Sequence, residues 1–280
     1  MEPCSPCPLP RGVAVALTPT GVRLVTNRRG STVWDVRTAA ERYAVKVGRP
    51  VPETDEHPGQ DWTGVAPARE AVVLQLLDMF AVYGTWPYGT WNAQPWHEGT
   101  SLYALWEPQR DGGSPAPLDT AHACADALAV LHGAGWVHGN IHPAHVVIGP
   151  DGTATLIGFA LAQGGPVPDA VDFPYPGSVI PYESPEMSRS ILETGTAVPT
   201  IASDVYALGV AFLVSATGRR HVTCPDDAPR AVQRKAVATA PYHPVSVPGL
   251  FGKLIEAMLS PVPGDRPTSA EVRSVLACQR

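Results

Sequence analysis

Apolar and polar positions alternate with a period of two over residues 13–47, which predicts strands. Val13, Val15 and Leu17 form one run, Val22 to Val25 a second, Thr32 to Val36 a third and Tyr43 to Val47 a fourth. Turn residues separate these runs, so the segment reads as an antiparallel meander. Residues 50–66 are polar and rich in Pro, Asp and Gly, and read as a loop. The period then lengthens. Val73, Leu74, Leu76 and Leu77 supply the apolar face of a helix from about Pro67 to Phe80. Tyr83-Gly84-Thr85-Trp86 repeats as Tyr88-Gly89-Thr90-Trp91, with Trp96 beyond, and predicts a twisted aromatic hairpin. A strand is expected from Leu102 to Trp106.

The stretch from Pro108 to Pro117 holds three Pro, two Gly and a Ser, and reads as a linker. Helical spacing follows it. Asp119 is placed to cap a helix from Thr120 to Ala134. Two short strands, Val146 to Ile148 and Ala154 to Ile157, flank the turn Gly149-Pro150-Asp151-Gly152. Residues 163–183 form a long loop rich in Pro and Gly, and later helices are expected at 203–217, 249–259 and 269–277. The expected organisation is a flexible tail over 1–10, a β-rich lobe over 11–107, a hinge over 108–118 and a mainly helical lobe over 119–280.

Composition narrows the classes. The chain has 280 residues, 44% of them hydrophobic, which excludes global disorder. The net charge of −6 argues against nucleic acid as a partner. Of the 20 basic residues only three are lysines: Lys46, Lys235 and Lys253. The five cysteines are scattered and do not make a disulfide framework. Cys4 and Cys7 form a lone CxxC with no second ligand pair near it, so a free tail is the expectation there. No signal-peptide pattern opens the chain, and the apolar run from Val205 to Val214 is too short for a bilayer. A cytoplasmic protein without a membrane partner is expected.

The chemistry-bearing motifs lie in a fixed order. Ala44-Val45-Lys46 ends a strand, and Glu70 stands on the next helix. His138-Gly139-Asn140-Ile141-His142-Pro143-Ala144-His145 precedes the short hairpin, and Gly158-Phe159-Ala160 follows it. Ser184-Pro185-Glu186, Asp204-Val205-Tyr206-Ala207-Leu208-Gly209 and Gly264-Asp265-Arg266-Pro267 come after. In this order they resemble the strand lysine, helix glutamate, catalytic loop, D-F-G, A-P-E, D-x-Y-x-x-G and C-terminal arginine motifs of the protein kinase family, in its bacterial Ser/Thr branch. The resemblance covers roughly residues 13–278. It implies an α+β, two-lobed kinase-like fold, with a small antiparallel N-lobe carrying one helix and a mainly helical C-lobe.

What the resemblance implies for chemistry is a deficit. Phosphoryl transfer needs carboxylates, an amide and a lysine around Mg²⁺ and the triphosphate. Asn140 stands where the catalytic aspartate would, and an amide is no carboxylate base. His142 replaces the loop lysine, His145 the metal-binding asparagine and Gly158 the D-F-G aspartate. The phosphate-covering glycines would fall at Thr26, Arg28 and Ser31, with Gly30 out of phase. Arg28 and Arg29 could attract an anion, though a solvated turn is the simpler expectation. His138, Phe159 and Leu74 resemble members of an apolar spine, Asp204 its anchor, and Glu186 with Arg266 a buried ion pair. Structural positions match and reactive ones do not, which is the pattern of a pseudokinase.

Lys46, paired with Glu70, is the retained exception, so ATP is the cofactor to test and Mg²⁺ is argued against. His138, His142 and His145 invite a metal, with Asp169 or Asp172 as a further ligand. His138 would turn into the spine, however, so no metal is expected. The leading expectation is a scaffold, allosteric partner or nucleotide-binding regulator that engages another protein through 83–96 or 163–183. The alternative is a divergent transferase, either a weak Ser/Thr kinase or a nucleotidyl transferase, that uses His142 or His145.

Overall fold

A computed structural model describes residues 5–28, 30–52, 59–112, 116–239 and 241–279. The chain divides into two compact units, Met1–Trp96 with Gly165–Phe173, and His97–Gly164 with Pro174–Arg280.

The first unit opens with α1 (Arg11–Leu17), then β1 (Gly21–Arg28), β2 (Ser31–Arg37), β3 (Arg42–Gly48), α2 (Trp62–Leu76), β4 (Val82–Trp86) and β5 (Gly89–Pro95). Its antiparallel sheet has the order β1-β2-β3-β5-β4. Directly opposed residues share a face. Val33, Lys46 and Asn92 therefore line one face, and Trp34, Val45 and Ala93 the other. The second face is capped by the N-terminal segment. Cys7 and Val13 join Val36, Val45, Val47, Trp91 and Ala93 in one buried cluster.

Two expectations fail here for one reason. The apolar outer face needs cover, and residues 5–17 supply it. Val13, Val15 and Leu17 do not alternate along a strand but wind into α1, with Val13 buried and Val15 exposed. Seven residues are too few to separate the two periods, and Ala14 and Ala16 favour the helix. The described part of the expected tail is ordered. The Cys7 N–H donates to Thr32 Oγ1 at 3.0 Å, and Trp34 Nε1 donates to the Cys7 carbonyl at 3.1 Å. Cys4 lies outside the described residues. The aromatic repeat forms the β4–β5 hairpin, with Trp91 on the capped face and Tyr83 and Tyr88 exposed.

The helix α2 starts at Trp62, inside the stretch expected to be a loop, and carries Pro67 within it. Proline breaks the helical ladder. The Thr90 hydroxyl repairs the break by accepting the Ala68 N–H at 3.2 Å and donating to the Gly64 carbonyl at 2.8 Å.

The second unit contains β6 (Thr100–Ser101), α3 (Leu102–Leu105), α4 (Glu107–Arg110), α5 (Leu118–Gly133), β7 (Val146–Ile148), β8 (Ala154–Leu156), α6 (Pro185–Thr194), α7 (Ile201–Thr217), α8 (Arg230–Thr239), α9 (Gly249–Met258) and α10 (Ser269–Ala277). The strands form a small sheet in the order β6-β7-β8. The segment from Leu102 to Trp106 is helical, not a strand. The Ser101 hydroxyl caps it, accepting the Ala104 N–H. Trp106 is fully buried, stacked on Phe212 at a centroid distance of 5.8 Å. The division therefore falls between Trp96 and His97, ahead of the 108–118 stretch, because α3 and α4 pack on α7. Helices α6 and α8 fall where none was expected. Among the described residues no helix is long and apolar enough to cross a membrane.

Candidate functional site

In the first unit the site is built around β3 and α2. Lys46 Nζ donates to Glu70 Oε1 at 2.5 Å, with the Lys46 side chain 16% exposed and that of Glu70 3%. Asn92, directly opposite Lys46 on β5, is fully buried. Its Nδ2 donates to the Pro67 carbonyl at 2.8 Å and lies 3.4 Å from Glu70 Oε2. Asn92 thus ties the strand to the helix beside the ion pair. The beginning of α2 is fixed in turn by Thr63, whose hydroxyl reaches the Arg49 and Gln60 carbonyls. Strand pairing between β1 and β2 continues to Arg28 and Ser31. Gly30 folds down at φ 78°, where a Cβ would meet the Arg49 carbonyl at 2.6 Å. Where the resemblance would place a phosphate loop, Gly30 is therefore packed against its own unit. Arg29 lies outside the described residues.

In the second unit Asp204 organises the loop that resembles a catalytic loop. Its carboxylate accepts the N–H groups of His138 at 2.6 Å and Gly139 at 2.9 Å, and His132 Nε2 at 3.2 Å. Two fixed partners set the tautomer of His138. Nε2–H donates to the Ile157 carbonyl at 3.1 Å, and Nδ1 accepts the Asn140 N–H at 3.2 Å. The His138 ring packs on Phe159 at 4.8 Å. Leu74 is buried in the first unit.

The reactive positions are filled by imidazoles. His145 Nδ1–H donates to the Asn140 carbonyl at 2.9 Å, and its ring packs tilted against that of His142, with centroids 3.8 Å apart. Burial lowers the His142 pKa to about 4. At neutral pH the His142 ring is therefore uncharged. The Asn140 Oδ1 is buried and has no hydrogen-bond partner among the described residues. Gly158 has φ 85°, and a Cβ there would meet His145 Cε1 at 2.5 Å. The His145 ring occupies the space in which a side chain at 158 would start. Magnesium wants hard oxygen ligands, and this pair offers an imidazole and a bare backbone, so the residues present do not fit it. Among the described residues no group of three His, Cys, Asp or Glu side chains is placed to hold a metal. Asp172 instead accepts Arg69 Nε at 2.8 Å within the first unit, and Asp169 is exposed.

The remaining anchors lie in the second unit. Arg266 forms a fork on Glu186, with NH1 to Oε1 at 2.7 Å and NH2 to Oε2 at 2.8 Å. Burial opposes ionisation of Glu186, but the bonds from Arg266 and Ser184 outweigh it and lower its pKa. A second fork, which the sequence did not reveal, joins Arg234 of α8 to Glu183, both buried. Tyr175 was also missed, and its hydroxyl donates to the Gly139 carbonyl at 2.6 Å. Asn92, which the sequence did not single out, is one of two buried amides on β5, the other being Gln94.

A five-stranded antiparallel sheet with a strand lysine bonded to a helix glutamate, and a helical unit whose aspartate clamps a His-Gly-Asn loop, define a protein-kinase-like α+β fold. The chain is a relative of bacterial serine/threonine protein kinases. It is 32% identical over 173 residues to the serine/threonine-protein kinase PknA of Corynebacterium glutamicum, a match spanning 60% of this chain and 34% of that protein. It is equally similar to drp72 of Corynebacterium efficiens, over 60% of this chain and 31% of the other. It is 30% identical over 152 residues to PknA of Mycobacterium tuberculosis, over 53% of this chain and 33% of that protein. The chain thus spans about a third of the length of these relatives. No family model matches it.

Proposed function

We propose that this chain is a pseudokinase, a cytoplasmic regulator that binds nucleotide through Lys46 and works on a partner protein without Mg²⁺-dependent phosphoryl transfer. One observation carries the reading. The His145 ring stands in the space a Gly158 side chain would need, so the metal-binding position is sterically closed as well as chemically empty. Lys46, held by Glu70 and Asn92, is the residue that would meet the phosphates. Exposed Tyr83 and Tyr88 support the aromatic hairpin as the partner surface, since exposed aromatics make binding hot spots. The 163–183 loop is less suited, because Tyr175, Asp172 and the Pro176 carbonyl are already engaged.

The test is thermal shift with ATP in Mg²⁺ and in EDTA, beside incubation with γ-labelled ATP. The expected result is a shift that survives EDTA and is lost in Lys46→Met, with no label transferred. Label transfer that requires His142 would replace this reading with a divergent transferase. Absence of any shift would leave the scaffold and remove the nucleotide.

A further inference from the structure

The inner face of the sheet carries a second cationic group, remote in register from Lys46. In neighbouring rows, Gly21, Arg37 and Arg42 lie opposite one another, and Arg23, Asp35 and Ala44 form the next row. Asp35 is 1% exposed and holds two guanidiniums. Arg42 reaches its Oδ1 through Nε at 2.7 Å and its Oδ2 through NH2 at 2.9 Å. Arg23 places both Nε and NH2 on Oδ2, at 3.1 and 3.0 Å, while its side chain stays 65% exposed.

Arg37 adds a charge that Asp35 does not meet. It is exposed and directly opposite Arg42, an arrangement of like charges that costs stability unless an anion joins them. Beside these residues is a cavity of about 260 Å³ lined by Gly21, Val22, Arg23, Asp35 and Arg37. Gly21 leaves its floor open, since the nearest atom to an added Cβ would be Arg37 Cβ at 4.0 Å. The volume suits a small group rather than a drug-sized ligand.

We propose that Arg23 and Arg37, with Asp35 and Arg42 as their rigid support, form a binding site for a phosphoryl group. Guanidinium forks match the geometry of phosphate oxygens. A carboxylate that pins one edge of Arg23 leaves another edge oriented for the ligand, which lowers the ordering cost of binding. A phosphoryl group near neutral pH carries close to two negative charges and answers the unmatched cation of Arg37. The site is independent of the nucleotide reading, because Lys46 belongs to a different row of the sheet.

Isothermal titration of the full chain with inorganic phosphate, and separately with O-phosphoserine, tests this. Both are expected to bind with an affinity that falls as salt rises. Arg37→Ala and Arg37→Gln are expected to weaken binding at least about tenfold while leaving the melting temperature in phosphate-free buffer unchanged or raised. Lys46→Met is expected to bind phosphate as the parent does. Tighter binding of O-phosphoserine would identify a phosphorylated side chain as the source; tighter binding of inorganic phosphate would identify a free anion. Binding unchanged in both Arg37 variants, or no heat from either ligand at tens of millimolar, overturns the site.

Discussion

Gly158→Ala is the smallest change that tests whether His145 closes the metal position. The added Cβ would lie 2.5 Å from His145 Cε1, 2.7 Å from Nδ1 and 2.7 Å from Nε2. Ordinary carbon contacts begin about 1 Å further out. The ring cannot swing away without breaking its bond to the Asn140 carbonyl and its packing against His142. Two costs follow. A non-glycine residue at φ 85° costs about 1–2 kcal/mol wherever it occurs. Overpacking against a fixed ring adds about 1–3 kcal/mol. Urea unfolding of Gly158→Ala should therefore show a loss of about 2–5 kcal/mol. His145→Asn removes the ring and the second cost, so the double variant should be more stable than the two single losses predict. The coupling should be about 1–3 kcal/mol. If the losses simply add, His145 does not occupy that space and the steric argument fails. The cycle extends to function: Gly158→Asp with His145→Asn should make the ATP shift Mg²⁺-dependent, whereas Gly158→Asp alone should not.

Four further outcomes follow from the same contacts. Thr90→Val keeps shape but strands the Ala68 N–H and Gly64 carbonyl, and should cost about 2–4 kcal/mol in urea unfolding; a loss below about 0.5 would show that Pro67 needs no such repair. Asp35, held at a pKa of about 2 chiefly by the Arg42 bond, contributes stability present above its ordinary pKa and lost as pH falls from about 4 to 2; the amount is about 2 kcal/mol, and Asp35→Asn should remove that pH dependence. His142 acts in the same direction at higher pH, since the folded state resists its protonation as well. Stability should fall between about pH 6.5 and 4 by up to about 3 kcal/mol, and His142→Gln should flatten that slope. Arg234→Met leaves Glu183 buried without its fork and should cost about 3–5 kcal/mol; a loss comparable to an exposed pair, under about 1, would remove it from the structural core.

Legibility followed the length scale of each signal. Strands β2 and β3 and the hairpin of β7 and β8 were readable because period and turn residues agree locally. So were α7, α9 and α10, whose apolar faces repeat over several turns. The segments that misled are short and decided by distant partners. Residues 13–17 fit both periods, and only the uncovered face of the sheet makes them α1. Leu102 to Trp106 is a short, wholly apolar run that fits either period, but Ser101 caps it and Phe212 and Phe251 receive Trp106. Pro67 marked a plausible helix start, and nothing near it in sequence announces the hydroxyl 23 positions later that lets the helix begin earlier.

The site divides along the same line. Motif positions could be read as present or absent, because each is a single residue in a fixed order. What fills an absence could not be read. A glycine at 158 could have left a hole for water, a cation or a substrate group, and the sequence shows only that a carboxylate is missing. The structure gives the loss a partner: His145 enters the vacated space and bonds back to Asn140, so three altered positions act as one unit. Such coupling resists reversal, since restoring a side chain at 158 while His145 remains costs stability before it can restore a ligand. Lys46 lies outside that unit. Its ion pair and its Asn92 buttress are complete within the sheet and α2, so nothing in the closure at 145 and 158 requires it to change. On the proposed reading that independence separates the two: Lys46→Met should abolish the ATP shift itself, whereas the 145/158 cycle should change stability and the shift's dependence on Mg²⁺.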